Sequence, residues 1–451
     1  MIDPQKILEK FPDPVPRYTS YPTAPHFTDG LGPQLIREAL ASITPEERIS
    51  IYVHVPFCDR MCWFCGCHTK QTNRYDPVAA YMESLRSEVA LLGAEQNFRP
   101  KVGHLHFGGG SPSMVCEENY ARLRASLETE FEIDAETEIS VEVDPNDLNG
   151  DTLAGLKALG LTRASIGVQD FDPAVQAAIN RPQSFGDTKN VVEQLRATGI
   201  HSLNIDALYG LPLQSEATIA KTIDQVISLS PDRVALFGYA HVPWMKKHQQ
   251  LIREDDLPDT MARFRQAEIA EQALLAAGYH KIGFDHFAKP DDSMAVAERA
   301  GHLHRNFQGY TTDDCQTMLG LGASSIGRYR GGYVQNIVAT GQYKAAIERG
   351  ELPVAKGFRL NRDDDIRAFM IERLMCDFAI SAASLRSEFG AEAEPYIDEM
   401  QHIALMEQDG LCAMEHGVFS VPRPTQTFVR IIASRFDAYL PGSQFRYSKA
   451  V

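Results

Sequence analysis

Residues 52–67 read Y-V-H-V-P-F-C-D-R-M-C-W-F-C-G-C, and the β-branched positions Ile49, Ile51 and Val53 lead into them. Cys58, Cys62 and Cys65 are spaced C-x3-C-x2-C, close enough for three thiolates from one loop to converge on a single inorganic centre, and Cys67 adds a fourth thiol two residues on. A cubane iron–sulfur cluster takes four ligands, so three protein thiolates leave one iron open to a small molecule. Zinc also takes four cysteines, but usually as two C-x2-C pairs separated by a longer excursion, and crowding four into one short loop fits it poorly. A disulfide framework is opposed by 8 cysteines scattered through 451 residues with no secretory segment.

At 451 residues the chain is long enough for two or three domains, or for one large barrel with an appendage. Hydrophobic residues at 44% with 23% charged are enough to bury a full core, which argues against disorder. No run of 18 apolar residues exists, and the start, M-I-D-P-Q-K-I-L-E-K-F-P-D-P, carries acids and prolines where a signal would be apolar. The expectation is a cytoplasmic protein. A net charge of -16 disfavours nucleic acid and anionic membrane as partners, and no basic run is dense enough to override it. Any polyanionic ligand would need arginines and lysines gathered locally.

Around the cysteines, residues 50–335 alternate strand-like and helix-like segments, the pattern of a parallel α/β architecture. Strands are expected at 50–56, 104–108, 138–144, 163–169, 202–209 and 233–240. One helix is well marked, with Asp76 as N-cap, Pro77 in the first turn and Val78, Tyr81, Leu85, Val89 and Leu92 at helical spacing. Six such units suit either a partial, open TIM-like (β/α)6 barrel or a doubly wound sheet.

The strands divide by period two. Ile51, Val53 and Val55 oppose Tyr52 and His54. Ile139, Val141 and Val143 oppose Ser140, Glu142 and Asp144; Ala164, Ile166 and Val168 oppose Ser165, Gly167 and Gln169; Leu203, Ile205 and Ala207 oppose Asn204 and Asp206. A closed, self-filled barrel would be lined by Val, Ile and Leu. A polar inner face therefore implies a lumen that holds a polar ligand and water, because an unmatched buried polar group costs roughly 2–7 kcal/mol. Barrel ligands sit at the carboxyl ends of the strands, and those ends carry the cysteine loop, Gly108-Gly109-Gly110-Ser111, Glu142, Gln169, Asp206 and Ala240.

C-x3-C-x2-C after a strand resembles the radical S-adenosylmethionine (SAM) superfamily. Y-V-H-V-P-F-C, C-G-C, R-Y-T-S-Y-P at Arg17–Pro22 and H-R-N-F-Q-G-Y-T-T at His304–Thr312 narrow the resemblance to the oxygen-independent coproporphyrinogen III oxidases, and it runs nearly end to end. It implies the open barrel, a [4Fe-4S] cluster on Cys58, Cys62 and Cys65, a catalytic role for Cys67, and SAM on the fourth iron. It further implies SAM contacts from Tyr52, Phe64, Gly109, Gly110, Ser111, Glu142, Gln169, Arg181, Asp206, Ala240 and Ile326. The implied reaction is decarboxylation of two propionates of coproporphyrinogen III to vinyl groups, giving protoporphyrinogen IX, with an electron donor and an electron acceptor as further partners. Taken from the residues alone, several of these have plainer readings: the glycines as a tight turn, Glu142 and Asp206 as paired structural acids, Arg181 as an exposed helix-end arginine.

Three regions follow: an arm over 1–35, a barrel over 36–350 and a small, mainly helical, winged-helix-like domain over 355–451. The last is expected to run as a helix over 363–378, then 384–389 and 396–406, a hairpin at His416-Gly417 and a final helix over 427–439, and to cover the barrel mouth. Arg17 and Arg305 are the candidates to pair with substrate carboxylates. Gly238, in F-G-Y-A-H, departs from the family pattern at the pocket. A related haem-binding chaperone shares the barrel and cysteines but lacks C-G-C and both flanking motifs. A winged-helix iron–sulfur regulator is opposed by the acidic charge. Cys116, Cys315, Cys376 and Cys412 are isolated and read as small buried hydrophobes.

Overall fold

The computed structural model describes residues 3–441 together with Phe445 and Tyr447. The first two residues of the arm and the other positions beyond 441 lie outside the described residues. The six expected strands form a continuous parallel array: β1 (Arg48–Val55), β2 (Lys101–Gly109), β3 (Glu138–Val143), β4 (Arg163–Gln169), β5 (Ser202–Tyr209) and β6 (Arg233–Gly238), each paired with the next in chain order. Beyond β6 come β7 (His280–Ile282) and β8 (His286–Ala288), with β8 next to β6. On the other side β9 (Met318–Leu321) adds a seventh parallel strand beside β1, and β10 (Ile326–Tyr329), β11 (Gly332–Asn336) and β12 (Val354–Arg359) follow antiparallel. Among the described residues the two sheet ends do not pair with each other, so the sheet is open.

The helices between the strands pack on one face only. Ile51, Val53, Leu105, Val141, Ile166 and Ile205 share a core with Val78, Leu85, Leu123, Leu156, Val192 and Ile219 from those helices. The other face carries the half-buried polar positions of the alternating pattern. A doubly wound sheet would need a second apolar face for helices on that side. A sheet covered on one side and polar on the other is the partial barrel.

Several boundaries differ from the sequence expectation. The helix Asp76–Gly93 has Tyr75, not Asp76, at its cap, and the Asp76 carboxylate pairs instead with Arg74 at 2.8 Å. β6 ends at Gly238, so Tyr239 and Ala240 lie in the loop beyond it. β9 carries no strand signal of its own in the sequence, because M-L-G-L is four residues long and sits among glycines that favour turns.

The C-terminal part has helices Arg362–Asp377, Ala382–Phe389 and Glu394–Met406 and a small sheet of Ala379–Ser381, Val418–Ser420 and Ala413–Glu415. Its first helix opens on a capping box between Asn361 and Asp364, which satisfies two end N–H groups reciprocally. The expected final helix over 427–439 is broken up: one α-helical turn, Val429–Ala433, lies between the 3-10 turns Arg423–Phe428 and Ser434–Phe436. All five residues of the middle turn are buried, so it has no solvent face to hold an amphipathic helix. From the arm, Ile7, Tyr18 and Tyr21 enter this C-terminal core, while Thr28–Asp29 extends the large sheet beyond β12. No described helix is long and apolar enough to cross a membrane.

Candidate active site

β1 delivers the cysteine loop, and the strand pair Phe57–Cys58 with Lys70–Gln71 closes its base. Each of the three spaced thiols meets a hydrogen-bond partner at its sulfur. Thr69 Oγ1 lies 3.0 Å from Cys58 Sγ, Arg181 Nη1 donates to Cys62 Sγ at 3.5 Å, and the Cys67 N–H donates to Cys65 Sγ at 3.3 Å. Cys67 thus differs from the other three: it serves one of their sulfurs and is itself exposed.

The loop is held from outside by residues the motifs did not flag. Gln249, fully buried, donates to the carbonyls of Phe64 (2.8 Å) and Ala240 (3.2 Å) and accepts from the Val242 N–H at 2.6 Å. His248 Nε2 is 2.7 Å from the Cys65 carbonyl, Lys246 Nζ donates to the Cys67 carbonyl at 3.0 Å, and Asn180 donates to the Met61 carbonyl at 2.9 Å. Their only sequence signal is position, because segments that follow β4 and β6 must reach the same rim as the loop after β1.

Burial pushes the Cys58 thiol up to about 12, and the charges of Cys65 and Cys62 add to it, which places the three sulfurs within mutual electrostatic range. Burial raises Cys62 too, against Arg181. A hydrogen bond from the Cys67 thiol, helped by the Cys67 N–H, brings Cys65 down to about 7 despite its burial, and the contact between the two thiols pushes Cys67 up. Three reduced thiols with hydrogen-bond partners already at their sulfurs fit three irons of a cubane cluster, whose sulfur ligands are tuned by such hydrogen bonds.

Along the polar face, Tyr52 stacks on His106 with ring centroids 5.8 Å apart, and its hydroxyl is 2.9 Å from His54 Nδ1. Glu142 accepts from the Gly109 N–H at 3.0 Å and lies 3.5 Å from His106 Nε2. Burial opposes the Glu142 charge, yet His106 and Gly109 hold its carboxyl below the usual range. Its side chain is still 40% accessible although protein surrounds it, which marks an open lumen. Asp206 accepts from Asn204 (2.7 Å) and Ser165 (3.2 Å), and burial, then the neighbouring Glu142 charge, raises it to about 6. The lumen acids therefore already have lateral partners. Asn204 Oδ1 is buried without a hydrogen-bond partner, and His106 Nε2 reaches only the Glu142 carboxylate, at 3.5 Å.

The glycines make room for protein as well as for ligand. A Cβ on Gly108 would come within 2.8 Å of Glu142, one on Gly109 within 2.4 Å of the His54 ring, and one on Gly110 within 2.5 Å of the Phe57 carbonyl. The Gly110 and Ser111 N–H groups bind the carbonyls of Val55 and Phe57, fastening the cysteine loop to β2, while Ser111 Oγ is 2.5 Å from Asp147. Gln169 sits at a β-bulge with φ 69°, a left-handed conformation costly for a side chain of its size and one that re-aims it at the strand end.

Arg181 is buried rather than exposed, and pairs with Asp144 at 2.9 Å and the Gly167 carbonyl at 2.7 Å. The Phe64 ring packs with Val175, Ile179 and Leu208 in a separate apolar cluster. Ile326 begins β10, packed so closely on Gly320 that a Cβ there would lie 2.9 Å from its carbonyl carbon, and Gly320 is the sheet partner of Tyr52. Tyr52, Cys67, Glu142 and Asp206 share one patch, linked by their mutual charge effects. Phe64 and Ala240 join it through Gln249, and Ile326 borders it.

Comparison with known proteins accords with this geometry. The Radical SAM superfamily model matches residues 52–226, and the HemN C-terminal domain model matches residues 360–424. An oxygen-independent coproporphyrinogen III oxidase of Bradyrhizobium diazoefficiens is 46% identical over 97% of this chain and 97% of its own. One from Cereibacter sphaeroides is 44% identical over 97% and 96%. Coproporphyrinogen III oxidase (HemN) from Escherichia coli superposes with a TM-score of 0.90 at 36% identity, covering 97% of this chain and 100% of that one.

Proposed function

Because the chain belongs to the oxygen-independent coproporphyrinogen III oxidases, a family of radical SAM enzymes, we infer that it converts two propionate side chains of coproporphyrinogen III to vinyl groups in haem biosynthesis. The observation that carries this is identity of 44–46% along nearly the whole of both chains, the arm and C-terminal part included. It favours the oxidase over the haem-binding chaperone. When bound, the [4Fe-4S] cluster and SAM supply the 5'-deoxyadenosyl radical that takes a hydrogen from the propionate carbon β to the carboxylate. Loss of carbon dioxide and one electron then leaves the alkene, so the reaction needs an electron donor and an electron acceptor.

The protein's part is to bind, orient and exclude water. We assign Cys58, Cys62 and Cys65 to the cluster and Cys67 to turnover, supported by the donors at the three sulfurs and by the different standing of Cys67. Tyr52, Phe64, Gly109, Gly110, Ser111, Glu142, Gln169, Arg181, Asp206, Ala240 and Ile326 are assigned to SAM. Acids suit an ammonium group and ribose hydroxyls, and the buried Arg181 suits a carboxylate. We divide the chain into arm (1–35), barrel (36–350) and C-terminal domain (355–451). A thiolate-held cluster with an open iron requires a reducing compartment, which supports a cytoplasmic location.

The test is anaerobic incubation of the reduced enzyme with SAM, coproporphyrinogen III and an electron acceptor, followed by chromatography of 5'-deoxyadenosine and porphyrins. Both products are expected. Deoxyadenosine without a vinyl porphyrin would leave a radical SAM enzyme of another substrate.

A further inference from the structure

At the carboxyl ends of β5 and β6, four strand positions round the rim from the cysteine loop, lies a cavity of about 60 Å³ lined by Arg17 of the arm, Tyr209, Gly238, Arg263, Asp285 and Arg430. It has room for a carboxylate and its methylene stem but not for a macrocycle. In a chain of net charge -16, three arginines on so small a cavity demand a reason.

Asp285, the buried acid on this cavity, is engaged on its far side. Asp285 has one oxygen 2.6 Å from His286 Nδ1 and the other 3.6 Å from Arg305, a fourth arginine behind the wall that also lies over the rings of Tyr310 and Phe284. Glu271, at the rim, is taken by Lys281 at 2.7 Å, and Glu268 is solvent-exposed. Arg17 donates to the Gly238 carbonyl at 2.9 Å. Arg263 makes no ion pair among the described residues; its Nε is buried without a hydrogen-bond partner, and its guanidinium lies 5.9 Å from the Tyr209 ring. Burial weakens the hold of Arg263 on its proton, with Tyr209 and Tyr239 opposing it. Arg17 is exposed and Arg263 half-buried, so an anion entering the cavity can reach both guanidinium groups.

Resting on the oxidase reading, we propose that Arg17 and Arg263 form a subsite for one propionate carboxylate of the tetrapyrrole, a propionate other than the one reacting beside the cysteine loop. Gly238 completes it: a Cβ there would lie 2.9 Å from the Tyr209 ring and 3.3 Å from Arg263, so glycine lets both lie against the strand end while its carbonyl orients Arg17. The arm carries Arg17 to the cavity, and Arg430 fixes the arm by donating to the carbonyls of Val15 (2.6 Å) and Pro16 (3.0 Å).

The test uses cluster-loaded, SAM-bound enzyme without oxygen and compares binding of coproporphyrin III, a fluorescent analogue that does not turn over, with binding of its uncharged tetra-amide. Arg17→Gln and Arg263→Gln are expected to weaken coproporphyrin III by roughly ten- to a hundredfold, the loss of one charge-assisted pair, and to leave the tetra-amide, SAM binding and iron content unchanged. Arg17→Lys should recover part of the loss. Equal weakening of both porphyrins, which a packing role alone would give, or no weakening of either, would overturn the subsite while leaving conversion by the wild type intact. Failure of the wild type to convert coproporphyrinogen III at all would overturn the reading beneath it.

Discussion

Arg181 donates one guanidinium nitrogen both to the Asp144 carboxylate and toward the sulfur of Cys62, at 2.9 and 3.5 Å. A positive charge beside a cluster ligand stabilises the reduced, more negative state. Arg181→Gln is expected to keep its iron, to shift the cluster to a more negative potential and to slow SAM cleavage about tenfold, the equivalent of one charge-assisted hydrogen bond. An anaerobic redox titration followed by electron paramagnetic resonance reads the potential. No change in either quantity would reduce Arg181 to a lock on Asp144.

The four thiols should separate into two classes. Serine at Cys58, Cys62 or Cys65 is expected to lose most iron, sulfide and visible absorption after anaerobic reconstitution. Serine at Cys67 should retain the cluster and lose decarboxylation, because that residue holds Cys65 through its N–H, which serine keeps. A Cys67 variant without iron beside a Cys65 variant with it would reverse the assignment.

Gln249 satisfies three backbone groups of two loops with one side chain. Gln249→Leu is similar in size but leaves those groups unpaired, at about 1–3 kcal/mol each where they stay dry. Iron retained after gel filtration should fall and the melting temperature should drop. A wild-type melting curve with full iron would mean that water takes over the role.

Glu88, buried beneath the loop that leads to Ile326, accepts from Tyr343 (2.6 Å), Asn336 (2.6 Å) and the Gly322 N–H (2.7 Å). Burial outweighs these donors and raises its carboxyl to about 7. A carboxyl raised in the folded state binds its proton more tightly there than in the unfolded chain. The resulting stability is complete below about pH 4, the unfolded value, and is lost as pH climbs through 7, by roughly 3 kcal/mol in all. Thermal unfolding of Glu88→Gln should lack this part of the decline between pH 5 and 8. Parallel profiles for the two proteins would place the slope elsewhere.

Removing residues 1–25 strips Ile7, Tyr18 and Tyr21 from the C-terminal core and Arg17 from the cavity. Iron content and SAM cleavage should survive in the barrel, decarboxylation should be abolished, and calorimetry should find the C-terminal part less stable. Undiminished turnover would make the arm dispensable.

Period two made the strands legible: alternation in S-V-E-V or L-N-I-D survives any register, so the six parallel strands, the polar lumen and the rim could be read before folding. The cysteine spacing was equally local. Which residues hold these pieces emerges only once distant segments of the chain meet. Lys246, His248 and Gln249 reach the cysteine loop from residues more than 170 positions away, and nothing local marks a side chain whose partners are backbone carbonyls. The last helix is cut down to Val429–Ala433 because a segment buried on every side takes its shape from its neighbours rather than from a periodicity of its own. Arg263 and Arg430 look ordinary in sequence and Arg17 stands out only by its motif; what joins them arises where arm, barrel and C-terminal segment meet over one small cavity, since an electrostatic field depends on distance in space and not along the chain.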